Sequence, residues 1–319
     1  MTLPWSITTT VRNPLRNREF LKTLTEFEGK EFNEEIQIKF QIRLIEKRLY
    51  KPNKIPPDCQ SLMASNSIID YQNAKKIFDY NQYEDPPMRG RQSANPLNKL
   101  GFAVARKNFD KIIITPLGKK FLKEDFDINY IFLKSLIKLQ FPNPWSRDFS
   151  KKKGFNINPF ISVLHLLNKI NKNLKVKGLT QTEFSVFVPT LNNFKSIDDQ
   201  IENIYTYRKK TDKKSYINDF AVRFYNKRKL DKKKINDLFD YGDNIMRYFR
   251  LTNYFKVSKS HLLGEWRIDL EPTKKEEINQ LINGFSGEPL NFDNENSYIK
   301  YLSDLNLPKL PWENKENLI

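Results

Sequence analysis

Apolar residues recur every three or four positions over most of the chain, which is the spacing of an amphipathic helix. Phe20, Leu21, Leu24 and Phe27 show this pattern in the first such stretch. Polar residues between the apolar ones separate one helical face from the other. The predicted helices cover residues 18–27, 33–50, 67–80, 93–100, 157–170, 196–208 and 241–251. The chain is therefore expected to be mainly α-helical.

A strand pattern follows the helix that is predicted to end at Gly101. The apolar runs 102–105 and 112–114 flank a polar turn, and together they predict a short β-hairpin. Thr115 and Pro116 then begin another helix, because threonine caps helix N-termini and proline suits the first helical position. The order is therefore helix, short strand, turn, short strand and a second helix that starts with proline.

The same order returns near the end of the chain. The helix 241–251 ends at Asn253, the strands 254–257 and 266–270 enclose a polar turn, and Pro272 starts a further helix. This repeated order is typical of the trailing half of a winged helix. The sequence therefore predicts an α+β protein, mainly α with small β-hairpins, built from tandem winged-helix or helix-turn-helix subdomains.

A helix-turn-helix order is also predicted between the two hairpins. Thr180 and Glu183 have the spacing of a capping box, which favours a short helix directly after a turn. Three regions follow from these elements. They are an N-terminal winged-helix subdomain with a basic arm (1–150), a second helix-turn-helix or winged-helix subdomain (151–285), and an acidic tail or linker (286–319).

Charge is distributed unevenly along the 319 residues, in which 55 Lys and Arg exceed 38 Asp and Glu to give a net charge of +17. Residues 208–234 contain 12 basic and three acidic residues, whereas residues 265–319 contain six basic and 11 acidic residues. A positive body favours a polyanion as partner, because phosphates neutralised by Lys or Arg release condensed counterions. The alternative is that the lysines only form solvated helix faces. Double-stranded DNA is the predicted partner, which makes the subdomains DNA-binding modules.

A membrane is not an expected partner. The basic run is interrupted by Asp, Asn and Tyr, so it lacks the bulky apolar face of a membrane-surface helix. The N-terminus lacks the basic-then-apolar order of a signal peptide, and the nearly apolar run 160–167 is too short to span a bilayer. The sequence therefore predicts a cytoplasmic protein.

Residues for catalysis or metal binding are sparse. Cys59 is the single cysteine, which excludes an internal disulfide and a cysteine-based zinc site. His165 lies in an apolar helix and His261 in a polar turn, and neither favours an active site. Glu28 belongs to a Glu-x-Lys triplet like that of Mg²⁺-dependent nucleases, but no aspartate precedes it. No catalytic residue, cofactor or metal is expected in this chain.

Short motifs in a fixed order extend over residues 5–283. They are Trp5, Arg12-Asn13-Pro14, Phe27-Glu28-Gly29-Lys30, Ile114-Thr115-Pro116-Leu117-Gly118-Lys119, Phe132-Leu133-Lys134-Ser135-Leu136, Gln140-Phe141-Pro142, Ile157-Asn158-Pro159 and Arg247-Tyr248-Phe249-Arg250-Leu251-Thr252. Their order and spacing together resemble the amino-terminal recognition part of AlwI-like type IIS restriction endonucleases and of BstNBI-like nicking endonucleases.

This resemblance implies a winged-helix-rich part that recognises a short asymmetric DNA site, followed by a separate PD-(D/E)xK nuclease domain that uses Mg²⁺. The present sequence ends at Ile319, soon after the linker-like run 306–312. The resemblance thus implies a recognition half without its nuclease, either a shortened chain or a separate specificity subunit. A nuclease domain or subunit would be its protein partner in the bacterial cytoplasm, and the chain alone is expected to be inactive.

Basic side chains on predicted helix faces are candidates for phosphate contact. Arg12, Arg16 and Arg18 would form an N-terminal arm suited to phosphates or to a minor groove. Arg247 and Arg250 lie three positions apart and therefore share one helical face. For each of them the alternative is simple solvation at the surface.

Other residues are candidates for contact with bases. Arg89 and Arg91 lie in residues 83–92, which two prolines and a glycine predict to be a loop. A pair of arginines can bind two phosphates or contact guanine O6 and N7, and the alternative is a solvated loop. Asn192 and Asn193 precede a predicted helix, where asparagine suits adenine but is also a common cap. The candidate DNA-binding residues are Arg12, Arg16, Arg89, Arg91, Thr180, Gln181, Asn192, Asn193, Lys195, Arg208, Lys213, Lys214, Arg247 and Arg250.

Two other classes of protein fit the same pattern. A winged-helix transcription regulator or a plasmid replication initiator would bind palindromes or iterons as a dimer. An RNA-binding protein would prefer single strands or A-form helices. Two unlike winged units in one chain favour instead a monomer on an asymmetric duplex site.

Overall fold

The computed structural model describes residues 2–107, 109–146, 148–259 and 264–313. The chain divides into two compact units. The first unit is Asn13–Phe126, and the second unit combines Met1–Arg12 with Asp127–Ile319. The boundary predicted near residue 150 falls inside the second unit, which also contains the predicted tail. Within the described ranges, no helix is long and apolar enough to cross a membrane.

Both units are mainly helical, and each contains one small antiparallel sheet. The first unit contains α1 (Asn17–Leu24), α2 (Glu34–Glu46), α3 (Gln60–Ala64), α4 (Tyr71–Tyr80), α5 (Pro86–Lys99), β1 (Ala103–Val104), β2 (Ile113–Ile114) and α6 (Pro116–Leu122). The second unit contains α7 (Ile128–Leu136), α8 (Pro159–Asn173), β3 (Leu179–Thr180), α9 (Gln181–Phe187), α10 (Ile197–Lys209), α11 (Lys213–Tyr225), α12 (Lys232–Arg250), β4 (Phe255–Lys259), β5 (Trp266–Leu270), α13 (Lys275–Gly284) and α14 (Glu295–Ser303). The predicted α+β class is confirmed.

Helix α5 begins where the sequence predicted a loop. The carboxylate of Asp85 accepts a hydrogen bond from the backbone N–H of Met88, which caps the helix. Pro86 and Pro87 occupy its first turn, where a missing N–H costs no intrahelical bond. The prediction of a loop over residues 83–92 was wrong, because residues that usually stop helices here start one.

A glycine in each unit lets two helices approach closely. A Cβ atom at Gly90 of α5 would lie 2.1 Å from the carbonyl oxygen of Gln37 in α2. A Cβ atom at Gly242 of α12 would lie 2.3 Å from the Cα of Ser185 in α9. Both distances are too short for any side chain, so glycine is required where these helix pairs cross.

The hairpin of each unit closes in the same way. β1 pairs antiparallel with β2, and the carbonyl of Phe102 accepts a hydrogen bond from the N–H of Thr115 at 3.1 Å. β4 pairs antiparallel with β5, and the carbonyl of Tyr254 accepts a hydrogen bond from the N–H of Glu271 at 3.0 Å. The bond joins the start of the hairpin to the start of the next helix in both units, as the repeat in the sequence predicts.

Each hairpin also receives an edge segment from the connection between the unit's early helices. In the second unit, Leu179 of β3 lies opposite Ile268 of β5. In the first unit, the N–H of Gly29 donates to the carbonyl of Ile112 at 2.9 Å, and the N–H of Ile112 donates to the carbonyl of Lys30 at 2.7 Å. The two units therefore share the order helix, edge segment, helix, two inserted helices, helix, hairpin and helix.

Aromatic residues fill the core of each unit. The rings of Phe102 and Phe121 stack with centroids 4.4 Å apart in the first unit. In the second unit, the rings of Phe160 and Phe249 meet edge to face at 5.1 Å, and Trp5 stacks on Phe249. Trp5 is fully buried, so the first residues of the chain complete the core of the second unit.

The segment after α13 packs within the second unit instead of extending as a tail. Tyr298 of α14 is 1% exposed. The buried ammonium group of Lys134 donates to the carbonyl of Pro308 at 2.7 Å, and that of Lys138 donates to the carbonyl of Asp304 at 2.5 Å. Two buried lysines thereby hold the C-terminal segment against α7 and the turn that follows it.

Candidate nucleic-acid interface

The basic run 208–234 folds into the end of α10, the whole of α11, the start of α12 and the turns between them. Two of its three aspartates act as helix caps. Asp212 accepts a hydrogen bond from the N–H of Ser215, and Asp231 accepts one from the N–H of Lys233. Because these carboxylates face backbone N–H groups, the neighbouring lysines dominate the charge of the surface.

The exposed residues of this run form what we call the basic face. Ala221, Tyr225 and Leu238 are buried between α11 and α12, so the two helices that carry the lysines pack against each other. The ammonium group of Lys213 lies 5.4 Å above the ring of Tyr207. The basic face consists of Lys209, Lys210, Lys213, Lys214, Lys227, Arg228, Lys229, Lys232 and Lys233, all of which are exposed.

A groove of about 530 Å³ in the second unit runs beside the basic face. Gln181, Lys213 and Trp266 line it, and Trp266 is 64% exposed at the start of β5. Thr180, another lining residue, caps α9 through a hydrogen bond from the N–H of Glu183, so the predicted capping box is confirmed. A solvent-exposed indole beside an amide and an ammonium group suits contact with a polynucleotide.

The floor of this groove is a buried ionic network. The carboxylate of Glu183, which is 2% exposed, accepts hydrogen bonds from Arg208 at 2.9 and 3.0 Å. Arg208 also donates to the carbonyls of Val176 and Gly178, and Arg267 lies 3.6 Å from the same carboxylate. Arg208 was predicted to contact DNA, but the structure uses its donors inside the unit.

The amides predicted to contact bases after α9 have structural partners. Asn192 is 8% exposed, and its Nδ2 donates to the carbonyl of Leu3 at 2.9 Å. Asn193 caps a 3₁₀ helix through the N–H of Lys195. Lys195 is exposed and lies 3.4 Å from Glu288. Burial removes Asn192 from any base edge, whereas Lys195 remains accessible.

The predicted N-terminal arm is held against the protein. The guanidinium of Arg12 lies 2.8 Å from Asp240 in the second unit. In the first unit, Arg16 donates to the carbonyl of Leu49 at 2.6 Å. Arg18 likewise donates to a carbonyl of its own unit, at 2.8 Å. These arginines are divided between the two units and do not form one continuous arm.

Helix α5 carries Arg89 and Arg91 as part of the first unit. The guanidinium of Arg89 lies 4.6 Å above the ring of Tyr83. Arg91 donates to Gln37 at 2.9 Å and to Asp85 at 2.5 Å. Both arginines therefore have partners within the unit, although Arg91 keeps a side chain that is 36% exposed.

A second groove, of about 410 Å³, lies along the same helix. Met88, Gln92 and Asn95 line it from α5, and Arg106 and Lys107 line it from the hairpin turn. Gln92 and Asn95 are exposed, three positions apart on one face. The sequence did not predict this helical face, because residues 83–92 were interpreted as a loop. A local signal was present, since Asp85 before two prolines has the pattern of a capped helix start.

Helix α12 carries the last two predicted residues. Arg247 lies 2.9 Å from Asp243, one turn earlier on the same helix. Arg250 is exposed at the end of the helix. Both can reach solvent, so the structure keeps them accessible to a phosphate.

The residues of catalytic interest have structural roles in the described part of the chain. Glu28 accepts a hydrogen bond from the N–H of Ile114 at 3.1 Å. His165 packs edge to face on Phe194 at 5.0 Å, and burial lowers the pKa of its imidazole. His261 lies outside the described residues. In the described ranges, no three His, Cys, Asp or Glu side chains are grouped to hold a metal.

Comparisons with known proteins give the chain a family and a fold. A search of curated proteins found no match. Among solved structures, the fold is similar to that in the crystal structure of pyrene- and phenanthrene-modified DNA in complex with the BpuJ1 endonuclease binding domain. The match has a TM-score of 0.50 and 14% identity, and it covers 89% of this chain and 90% of that chain. At this identity the likeness shows the fold alone.

The family comparison covers more than half of the sequence. The family model described as AlwI restriction endonuclease matches residues 98–319. This range contains the first hairpin and almost all of the second unit. The chain therefore belongs to the AlwI restriction endonuclease family.

Proposed function

We propose that this chain binds double-stranded DNA at a short asymmetric site and is the recognition part of a type IIS restriction or nicking endonuclease. Family membership is the observation that carries the proposal. The similar fold is that of an endonuclease binding domain in complex with modified DNA. The basic face and the two grooves supply the charge and the polar groups that such binding needs.

Both units are proposed to be winged-helix modules. The order helix, edge segment, helix, inserted helices, helix and hairpin supports this assignment in each unit. The third helix of each order, α5 or α12, directly precedes the hairpin. In helix-turn-helix modules one helix enters the major groove while neighbouring elements contact phosphates.

The basic face is proposed to position the duplex by contacting phosphates. Its residues are exposed, and the ionic network beneath the neighbouring groove fixes the start of α9. Phosphate contacts of this kind strengthen binding without distinguishing sequences. Lys213 and Lys214, at the exposed start of α11, are the members chosen for the test.

The chain is proposed to act as a monomer on DNA. The two units differ in sequence, so one chain can contact an asymmetric site without two-fold symmetry. A restriction enzyme acts on DNA inside a cell, so the proposal expects the chain in the bacterial cytoplasm. Mg²⁺ binding and the cleavage step are proposed to belong to a separate nuclease domain or subunit.

Selection of bound duplexes from a randomised pool tests the proposal directly. We expect one enriched, asymmetric sequence, and sedimentation of the complex with one chain per short duplex. A palindromic or iterated consensus bound by two chains would favour a transcription regulator or replication initiator instead. Preference for single strands or RNA helices would also contradict the proposal.

If the basic face contacts phosphates, its removal should weaken binding to every DNA sequence equally. Replacing Lys213 and Lys214 by Ala should weaken enriched and scrambled duplexes alike, because phosphates are common to both. The slope of log K against log salt concentration should fall by about 0.9 for each lost phosphate contact. Fluorescence anisotropy titrations at several salt concentrations measure both effects. A loss confined to the enriched duplex would contradict the assignment.

Cleavage is tested on the same duplexes. With Mg²⁺, the purified chain is expected to leave both strands of the enriched duplex intact, because no aspartate precedes the triplet Glu28-Gly29-Lys30. Mg²⁺-dependent nicking that is lost on Glu28→Gln replacement would show that this chain carries a nuclease site.

A further inference from the structure

The repeat makes α5 and α12 equivalent helices, so their exposed faces can be compared position by position. The glycines at the two helix crossings, Gly90 and Gly242, are 152 residues apart. The left-handed residues that end the two helices, Gly101 (φ 75°) and Asn253 (φ 64°), are separated by the same number. Residues 152 apart therefore occupy equivalent positions on the two helices.

The face of α5 that borders its groove is open and carries amides. Gln92 and Asn95 are exposed. Within the described ranges the side chain of Asn95 makes no hydrogen bond, and Gln92 accepts only a long one, at 3.4 Å, from Arg89. Asparagine and glutamine can each form two hydrogen bonds with adenine in the major groove. An open amide pair on a helix is suited to read base edges.

On α12 the position of Gln92 is covered by the chain's own N-terminal segment, whereas Arg247, at the position of Asn95, is exposed and paired with Asp243. Asn244, which occupies the position of Gln92, is 1% exposed, and its Nδ2 lies 3.5 Å from the carbonyl of Val11. The hydroxyl of Tyr248 donates to the same carbonyl at 2.9 Å. Asp240 is paired with Arg12. The segment ending at Arg12 therefore lies where a base edge would have to approach.

The charges along the two helices also favour α5 over α12 as the helix that approaches DNA. Asp240 and Asp243 lie along α12, where the equivalent residues of α5 are Met88 and Arg91. Asp237 corresponds to Asp85, which caps α5 and is paired with Arg91. Carboxylates repel the phosphates that flank a major groove. The groove along α5 is bordered instead by Arg106 and Lys107. Only α5 combines an accessible amide face with a positive border.

From this asymmetry we infer that the helix which reads bases is α5, through Gln92 and Asn95, and that α12 reads none because Val11 and Arg12 cover the position of Gln92 and Asp243 pairs with Arg247 at the position of Asn95. The inference rests on the proposed function and adds to it the residues that determine specificity. Because amide side chains pair with adenine, it predicts that the first unit contacts the adenine-containing base pairs of the site. The second unit then contributes through its basic face and through the groove beside Trp266.

The test uses the full chain and the duplex enriched by selection, with a scrambled duplex for comparison. Gln92→Ala and Asn95→Ala should each weaken binding to the enriched duplex about 10- to 100-fold and leave the scrambled duplex within about twofold. The comparison changes on α12 are Arg247→Ala, at the position of Asn95, and Asp240→Asn, one turn before the position of Gln92, and both should leave the ratio of the two affinities unchanged. Circular dichroism melting checks that each variant is folded.

A change in the preferred DNA sequence would show that Gln92 contacts a base and does not only stabilise the fold. Repeating the selection with Gln92→Lys should change the consensus at one or two positions, because lysine prefers guanine acceptors. An unchanged consensus with Gln92→Lys, or equal losses on both duplexes for the alanine variants, would overturn the inference. A consensus altered by Asp240→Asn would overturn it as well. If the unmodified chain enriches no sequence, the proposed function itself fails.

Discussion

The two units of this protein share one order of elements but stabilise it differently. In the first unit, the second and third helices of the order meet at Gly90, and buried amides accompany the crossing: Gln41 accepts a hydrogen bond from Ser93 at 2.7 Å and Gln37 accepts one from Arg91 at 2.9 Å. In the second unit, the crossing at Gly242 is accompanied by the buried ionic network of Glu183, Arg208 and Arg267. The comparison teaches that a repeated fold constrains the backbone contacts strictly and leaves the polar side chains free to diverge.

The same divergence extends to the surfaces. The helix before the first hairpin presents open amides, whereas the helix before the second hairpin is covered by the N-terminal segment. The second unit gains a basic face that comes from its inserted helices α10 and α11, the turn after α11 and the start of α12. A duplicated unit can thus keep its packing while one copy specialises in sequence recognition and the other in affinity.

The largest effect is expected from removing the central carboxylate of the network. Glu183→Ala leaves Arg208 and Arg267 without their shared anion, and it removes half of the capping box of α9. Breaking a buried ion pair in this way costs about 3 to 5 kcal/mol of unfolding free energy. Denaturant titration measures the loss, and limited proteolysis should show that the second unit opens first.

The matched control lies in the equivalent helix of the first unit. Glu35 is exposed in the first turn of α2, where it pairs with Lys39. Glu35→Ala should change the unfolding free energy by less than about 1 kcal/mol, because exposed pairs contribute little. Equal losses of unfolding free energy for Glu183→Ala and Glu35→Ala would mean that the buried ionic network contributes no more to stability than an exposed ion pair does.

A somewhat smaller effect is expected at the helix crossings, and it should be similar in both units. Gly90→Ala and Gly242→Ala each force a methyl group into backbone or Cβ atoms of the facing helix. Overpacking of this kind typically costs about 1 to 3 kcal/mol. Hydrogen exchange should show increased opening in the first unit for Gly90→Ala and in the second unit for Gly242→Ala.

Exposed positions on the same helices provide the control for this pair. Gln92→Ala and Arg247→Ala should leave stability nearly unchanged, since neither side chain is buried. If only one of the two glycine substitutions destabilised its unit, the crossings would not be equivalent, and the alignment of the two helices would lose its support.

The smallest effect concerns the pH dependence of the second unit. Burial lowers the pKa of Lys138 from 10.5 to about 7, so the unfolded chain binds more protons than the folded chain between these values. The unfolding free energy should therefore rise with pH above 7, by at most about 1.4 kcal/mol per pH unit. Lys138→Met should reduce this increase, to which Lys99 also contributes because burial lowers its pKa to about 8, and denaturant titrations at pH 7 and pH 9 measure the difference.

An exposed lysine of the first unit serves as the comparison. Lys51→Met should follow the unmodified chain at both pH values, because its ammonium group is solvated. A Lys138→Met variant that kept the full pH dependence would show that the contact with Asp304 does not control the docking of the C-terminal segment.

Local patterns in the sequence were sufficient for much of the secondary structure. The apolar spacing predicted α1, α2, α8 and α10 to within a few residues, and the turn signals predicted both hairpins. The capping box at Thr180 and Glu183 was confirmed because it depends only on residues three apart. The net charge and the ordered motifs also sufficed to indicate the restriction endonuclease family, which the family model confirmed.

The failures at site residues share a physical cause, which is that the environment of a side chain depends on residues far away in the sequence. Arg208 and Asn192 look like free polar groups in the sequence, yet partners 25 and 189 residues away bury them. The helix start at Asp85 is a separate case, because its cap and the two prolines form a local pattern that was interpreted as a loop.

The sequence by itself therefore determined the elements, their repetition, the positive charge and the family. Only the tertiary structure decided which polar residues are accessible, because accessibility follows from packing between distant segments and leaves no local pattern. The clearest case is α12, whose composition resembles that of any exposed helix. Its face is closed by residues that precede it by more than two hundred positions, through the carbonyl of Val11 and the guanidinium of Arg12.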